Sequence, residues 1–109
     1  MTVKELAEKL ELEVFTAGEG LEREVKGAYI GDLLSWVMSH ASKGNLWVTV
    51  LNHINIVAVA VMTEVSCILL PEGIKPENQT IERAKVEGIT VLGSKHDAYT
   101  IACLLNENI

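Results

Sequence analysis

The sequence predicts an α/β domain in which a mainly parallel sheet is flanked by helices. Short apolar runs alternate with helical patterns through the last two thirds of the 109 residues. That order is typical of parallel strands joined by right-handed helical crossovers. Hydrophobic residues make up 49% and charged residues 22% of the chain, which is ordinary globular usage and enough for one core. We therefore expect a single domain over residues 1–109.

The first third of the chain predicts one helix and two short strands. Thr2 and Glu5 fit a capping box, and apolar residues at helical spacing continue to about Leu10. Polar and apolar residues alternate over Glu11–Phe15, and a second strand is expected near Val25–Ile30 after a glycine-containing turn. These two strands are candidates for a hairpin.

The next helix is expected to begin at Asp32 and to end at Lys43-Gly44. A carboxylate at the first position can accept the free backbone N–H groups of a helix, and glycine favours its last turn. Between them, apolar residues share one helical stripe. The run Leu46–Leu51 follows as a buried strand.

Residues Asn52–Glu64 are ambiguous because Ile56–Val61 is rich in β-branched side chains, which favour strands. A return strand would make a hairpin, but no Asn-Gly or Asp-Gly turn separates it from Leu46–Leu51. The segment is long enough for a helical crossover to the next apolar run, Cys67–Leu70. We interpret it as a buried helix.

The remaining elements alternate in the same way. Pro76 occupies the first position of a predicted helix, and Gly88 ends it. Ser94 and Asp97 offer a second capping box, three residues apart. Two further elements are predicted, a strand over Ile89–Leu92 and a final helix over Ala98 to about Asn106.

Charge and hydropathy exclude several classes of function. Nine Lys and Arg against fifteen Asp and Glu give a net charge of -6, so no basic stripe is available for nucleic acid. The longest apolar run, Ile56–Met62, is far shorter than the roughly 20 residues that span a bilayer. No signal peptide is recognisable, so we expect a soluble, cytoplasmic protein.

The two cysteines and the motif inventory predict no metal site, cofactor or catalytic centre. Cys67 and Cys103 each lie in an apolar stretch without a neighbouring ligand, and we expect two buried thiols rather than a disulfide in a reducing compartment. The chain has no glycine-rich phosphate loop, GxSxG or HExxH. An enzyme is therefore not expected.

A ligand is expected at the carboxyl ends of the parallel strands, where loops and helix N-termini meet. The polar candidates there are Asn52, His53, Asn55, Gly73, Ser94 and His96. The alternatives stay open, since Asn52 would equally serve as a helix cap, His53 as a first-turn residue, and His96 as part of a solvated loop next to Lys95. Asp32 is sufficiently explained as a cap.

Trp36 is the candidate for a protein interface. It stands between the apolar stripe and the polar face of the helix that follows Asp32, so it either anchors a subunit contact or packs in the core.

Three segments make the chain resemble a DRTGG domain over nearly its full length. They are Thr2–Ala7, Gly31–Met38, and Leu46–Thr49 leading to His53–Ala60. DRTGG domains resemble the N-terminal domain of HPr kinase/phosphorylase and accompany CBS domains in some pyrophosphatases. Two positions depart from the family pattern.

Trp36 stands where an acidic residue is expected, and Pro71-Glu72-Gly73 replaces a Thr-Gly-Gly turn. A rigid ring and a carboxylate at that turn are expected to weaken an anion site there.

The resemblance implies a non-catalytic regulatory or accessory module that forms a homodimer and senses a small anionic or nucleotide-like ligand. In HPr kinase/phosphorylase the phosphotransfer chemistry belongs to a separate P-loop domain, which has no counterpart in these residues. The alternative is a protein–protein interaction module that docks a larger redox-related or kinase-related enzyme. A hydrolase or phosphotransferase that uses His53 or His96 is a third hypothesis, without a supporting motif.

Overall fold

One five-stranded sheet organises the chain, and the computed structural model describes all of residues 1–109. The strands are β1 (Glu13–Thr16), β2 (Ala28–Ile30), β3 (Leu46–Val48), β4 (Cys67–Leu70) and β5 (Val91–Gly93). Their order is β1-β5-β4-β3-β2. The four strands β2 to β5 are parallel, and β1 pairs antiparallel with β5. The mainly parallel α/β class predicted from the sequence is confirmed.

Helices cover both faces of the sheet. They are α1 (Val3–Lys9), α2 (Leu34–His40), α3 (Asn55–Thr63), α4 (Asn78–Glu87) and α5 (Ala98–Asn108), with a short 3-10 helix at Glu19–Glu22. One buried cluster joins the sheet to α2, α3 and α4, and a second joins its other face to α1 and α5. The sheet therefore lies in the middle of three layers.

The ambiguous segment Asn52–Glu64 forms a helix, as predicted. Its α3 connects β3 to the neighbouring parallel strand β4, a connection that a hairpin cannot make. Ile56, Val57, Val59 and Ala60 are buried against the sheet. Burial and topology override the strand propensity of the β-branched residues, because propensities differ by only a few tenths of a kcal/mol per residue.

The predicted hairpin between the first two strands is wrong, because β1 and β2 lie at opposite edges of the sheet. The intervening chain crosses the amino ends of the central strands. There the Ser66 hydroxyl donates to the carbonyl oxygen of Glu24, at 2.6 Å. Gly20 is close enough to the Thr90 side chain that a Cβ would overlap it. This connection delivers β2 to the far side of the sheet.

β4 has the predicted bounds, the other four strands are shorter than predicted, and positive φ angles explain two of the boundaries. Glu11 has φ +53° in the turn that follows α1, so β1 starts at Glu13 rather than at residue 11. Gly27 has φ +91° and separates Val25 from β2. β3 ends at Val48, since the chain turns after Thr49, whose hydroxyl oxygen accepts from the Leu51 N–H.

The Asp32 cap predicted for α2 is wrong. Leu33 is the residue before the first turn, and the Asp32 carboxylate instead accepts hydrogen bonds from the Thr49 hydroxyl at 2.8 Å and the Val50 N–H at 2.9 Å. Asp32 therefore joins the loops after β2 and β3. The helix ends at His40, and Gly44 lies in the following turn with φ +86°.

The later helix boundaries also differ in detail. α4 begins at Asn78, two residues after Pro76, and Gly88 ends it in the left-handed conformation as predicted. Asp97, not Ser94, caps α5 by accepting from the Thr100 N–H at 2.8 Å. α5 continues to Asn108, and no helix is long and apolar enough to cross a bilayer.

Candidate functional site

The carboxyl ends of the four parallel strands lie side by side at one end of the sheet, as the sequence predicted. Hydrogen bonds fix the loops there to one another. The N–H of Gly73 donates to the carbonyl of Ser94 at 2.9 Å, and the N–H of Glu72 donates to the carbonyl of His96 at 2.8 Å. The loops after β4 and β5 therefore form one unit.

A cleft of about 310 Å³ opens beside these two loops, and we call it the carboxyl-end cleft. It includes three of the predicted ligand residues, Gly73, Ser94 and His96. The other lining residues are Leu10, Glu11, Glu13, Phe15, Ile74, Lys75, Gly93 and Lys95. Its volume is at the lower end of the range for small-molecule sites, roughly 300–1,000 Å³.

Both signs of charge face this cleft. Lys75 Nζ lies 3.5 Å from Glu13 Oε1 and 5.4 Å from the centroid of the Phe15 ring. Lys95 and His96 are exposed, and Lys95 makes no ion pair. An anion would therefore meet two ammonium groups and an imidazole, and would compete with Glu13 for Lys75.

The backbone of the cleft offers fewer donors than the topology alone suggests. Besides the two N–H groups above, the N–H of Ser94 donates to Leu70 O, and that of His96 donates to Ser94 Oγ at 3.1 Å. The α5 N-terminus already holds the Asp97 carboxylate. The cleft would therefore bind an anion through side chains rather than through a helix end.

Asn52 does not cap α3, and it does not line the cleft. Its side-chain amide donates to Lys75 O at 2.9 Å, and its own carbonyl accepts from the Glu77 N–H at 3.1 Å and the Thr80 hydroxyl at 2.8 Å. Asn52 therefore fixes the loop that carries Lys75 and satisfies donors at the start of α4.

His53 and Asn55 lie at the start of α3, outside the carboxyl-end cleft. His53 Nδ1 is buried without a hydrogen-bond partner. Asn55 borders a separate, open groove of about 610 Å³ between α2 and α3. The six predicted ligand residues thus divide between the cleft, the Lys75 loop and the α3 N-terminus.

Lys75 is the principal cleft residue that the sequence analysis missed. It approaches the cleft because β1 returns antiparallel beside β5 and brings Glu13 and Phe15 with it. The predicted hairpin placed β1 elsewhere, so no local pattern indicated this contact. The Gly93 backbone packs under Phe15, whose ring a Cβ at Gly93 would approach to 2.6 Å.

Trp36 is 56% exposed on α2, so the core alternative for this residue is wrong. Its ring stacks on His40, with centroids 4.0 Å apart and planes at 11°. The preceding Leu33 is 66% exposed. Trp47, in contrast, is fully buried, and its indole N–H donates to Gly31 O at 2.9 Å.

The cysteines differ from each other. Burial raises the pKa of Cys67 to about 12, whereas Cys103 is exposed on α5, contrary to the prediction that both thiols are buried. Both are free thiols. No cluster of three or more His, Cys, Asp or Glu side chains is positioned to hold a metal ion.

The fold and the cleft define a small α/β domain with a polar cleft at the carboxyl ends of its parallel strands. The family model for the DRTGG domain matches residues 5–108, and the chain belongs to this family. A search of curated proteins finds no match.

A solved structure of the CBS and DRTGG domains of the regulatory region of Clostridium perfringens pyrophosphatase is similar to this chain. The TM-score is 0.76 at 21% sequence identity, and the similarity covers 95% of this chain. This chain spans 45% of that solved chain. The similarity confirms the α/β fold. The pyrophosphatase region was crystallised with its activator, diadenosine tetraphosphate.

Proposed function

We propose that this DRTGG domain, residues 1–109, is a non-catalytic regulatory module that senses a small anionic or nucleotide-like ligand in the carboxyl-end cleft. The observation that carries the proposal is the convergence of Lys75, Lys95 and His96 on one cleft of about 310 Å³. Cationic side chains around a concave site favour phosphate groups. The pyrophosphatase region with a bound nucleotide activator supports the same class of ligand.

Each predicted ligand residue takes a distinct role in this proposal. Ser94 and His96 contact the anion beside Lys95, and Gly73, which is hydrogen-bonded to Ser94, leaves open space next to them, since no atom lies within 4 Å of the position of a Cβ. Asn52 positions the Lys75 loop. His53 and Asn55 are contacts for the distal part of a larger ligand, because they lie outside the cleft itself.

Isothermal titration calorimetry tests the ligand half of the proposal, with pyrophosphate, ADP, ATP and diadenosine tetraphosphate as probes. We expect at least one of them to bind. Lys95→Gln should weaken that binding about tenfold, since a hydrogen bond to a charged group contributes about 1.5 kcal/mol. Lys85→Gln is the matched control, because Lys85 is an exposed lysine on α4 away from the cleft. Binding of none of the four probes, or equal losses in both variants, would reject the cleft as the site.

The second candidate function is a protein–protein interaction module, either a homodimer or a dock for a larger redox-related or kinase-related enzyme. The exposed Trp36, stacked on His40, favours it. Tryptophan is enriched at the centres of protein interfaces because one side chain buries a large area there. A regulatory module that also dimerises would combine both functions.

Light scattering tests the homodimer. We expect a dimer for the wild-type chain and a monomer for Trp36→Asp, because a carboxylate replaces the apolar anchor. Val86→Asp is the control, since Val86 is 76% exposed on α4 and receives the same charge. A mass that is unchanged by Trp36→Asp would exclude Trp36 from the dimer contact.

A further inference from the structure

The outer edge of β2 carries backbone groups that no other strand satisfies. β2 pairs only with β3. The carbonyl of Gly27 accepts from Leu46 N at 2.9 Å, and the N–H of Gly31 donates to Val48 O at 3.2 Å, so both residues face β3. Because backbone directions alternate along a strand, Tyr29 also faces β3, and Ala28 and Ile30 direct their N–H and C=O groups outward.

The opposite edge of the sheet carries a bulge and a charge, and the short β2 edge carries neither. β1 carries a bulge between Val14 and Thr16, and its Glu13 pairs with Lys75 across the cleft. Bulges and charges are the usual devices that keep an edge strand from pairing with another chain. β2 consists of Ala28, Tyr29 and Ile30, and it has neither device.

The surroundings of β2 are almost free of charge. Among residues 27–42 and 98–109, only Asp32 and Glu107 are charged. The chain carries a net charge of -6, so two copies repel each other across most other surfaces. The side built from β2, α2 and α5 carries only these two charged side chains, so two copies meet there with little repulsion.

We propose that two copies of this chain pair their β2 strands antiparallel about a two-fold axis at Tyr29, which forms one continuous sheet. This inference rests on the homodimer of the proposed function and assigns its geometry. About that axis Ala28 lies opposite Ile30 of the second copy, and the outward N–H and C=O groups of each exchange both hydrogen bonds. Tyr29 of one copy lies opposite Tyr29 of the other, and these two residues exchange no backbone hydrogen bonds.

Apolar surface beside β2 agrees with this two-fold axis. Ile30, 47% exposed, borders a cleft of about 290 Å³ that Ala102 and Ile109 of α5 also line. In the proposed dimer, Ile30 of one copy packs against α5 of the other copy, and both bury apolar surface.

Exposed residues of α2 also lie beside β2, on the face of the sheet opposite α5. Ser35, Met38 and Ser39 line the groove toward α3. At 100° per residue, Trp36 and His40 lie on the side of α2 away from this groove and from α3, and β2 is the outermost strand on that side of the sheet. In the proposed dimer, the two Trp36 side chains therefore lie on the same side as the paired β2 strands, and one interface includes both features.

Disulfide trapping tests the geometry. In a Cys103→Ser background, we expect Tyr29→Cys to form a covalent dimer under mild oxidation, because a pair without hydrogen bonds has a Cα separation of about 4.5 Å, within disulfide range. The control is Val14→Cys, on the β1 edge, which should stay monomeric on denaturing gels. Tyr29 packs partly in the core, so a second variant is needed that leaves the core intact.

Ile30→Lys is that second variant, since Ile30 is exposed and a lysine on an edge strand opposes pairing. We expect the dimer dissociation constant to rise at least about tenfold, and Val14→Lys to leave it unchanged. A wild-type dimer that Ile30→Lys does not weaken and Tyr29→Cys does not trap would overturn the β2 pairing while leaving the Trp36 dimer in place. A wild-type chain that is monomeric at all concentrations would reject both.

Discussion

Single polar side chains at the ends of strands join neighbouring strands and loops of the sheet. Thr16 bridges β1 to β5 at the bulge, where its hydroxyl donates to Ile89 O at 2.7 Å and accepts from the Val91 N–H at 2.8 Å. Asp32 joins the loops after β2 and β3. The sequence predicted the Thr2–Glu5 capping box correctly, because that pattern is local. It predicted Asp32 wrongly, because a carboxylate before a helix bonds equally well to a distant loop.

Thr16→Val should destabilise the fold by about 2 kcal/mol, because it leaves a buried N–H and a buried carbonyl without partners. Chemical denaturation measures the change. Thr90→Val is the matched control, since the Thr90 hydroxyl is buried but makes no hydrogen bond, and we expect a change below about 1 kcal/mol. Equal losses in the two variants would contradict the role of the Thr16 hydroxyl.

Thiol labelling with DTNB at pH 8 should titrate one cysteine in the folded protein and two after unfolding. Burial raises the pKa of Cys67 to about 12, so its thiol stays protonated and unreactive at that pH. Cys103 is exposed and reacts first. Cys103→Ser should abolish labelling of the folded state, and rapid labelling of that variant would show that Cys67 is accessible.

At the scale of elements, helices were easier to predict than strand pairing. The spacing of apolar residues and the length of the connection identified α3 although its residues favour strands. The hairpin failed because pairing of β1 with β5 depends on contacts more than 70 residues apart, such as Thr16 with Ile89, which no local pattern encodes. Because the position of β1 was predicted wrongly, the contact of Lys75 with Glu13 and Phe15 was not predicted. The part of the carboxyl-end cleft that β1 lines was missed for the same reason.

The N-terminal caps of α1 and α5 should make stability fall in acid. The pKa of the Glu5 carboxyl is lowered from its usual value of 4.5, mainly by the hydrogen bond from the Thr2 N–H and secondly by the Thr2 side chain. The pKa of the Asp97 carboxyl is lowered from 3.8, mainly by the hydrogen bond from the Thr100 N–H. A carboxyl group whose pKa is lower in the folded state stabilises the fold at neutral pH. That contribution is lost as the pH falls through the folded value.

Melting temperatures between pH 6 and pH 3 test this dependence. The double variant Glu5→Gln and Asp97→Asn should lose less melting temperature than the wild type on acidification, because amides still cap but do not titrate. Glu82→Gln is the control, since the Glu82 carboxylate makes no hydrogen bond or ion pair. An equal loss of melting temperature between pH 6 and pH 3 in the double variant and the wild type would contradict the role of the two caps.

At the scale of the whole molecule, the class of fold followed from the alternation of elements, whereas the site followed only in part. Parallel strands gather their carboxyl ends at one edge, which placed Gly73, Ser94 and His96 correctly beside each other. Loop-to-loop hydrogen bonds then took up the backbone donors expected to bind an anion. Such competition between a ligand and the protein itself depends on tertiary geometry, so the sequence did not reveal it.

A ligand site in the carboxyl-end cleft is tested most directly by a two-dimensional NMR titration of the ¹⁵N-labelled chain with whichever of the four phosphate probes binds. We expect saturable shifts that are largest at the amides of Gly73, Ser94, Lys95 and His96, with the amide signals of β2 and α2 unchanged. Shifts that are largest around Trp36 and the β2 edge, or no shifts with any probe, would contradict a ligand site in the carboxyl-end cleft.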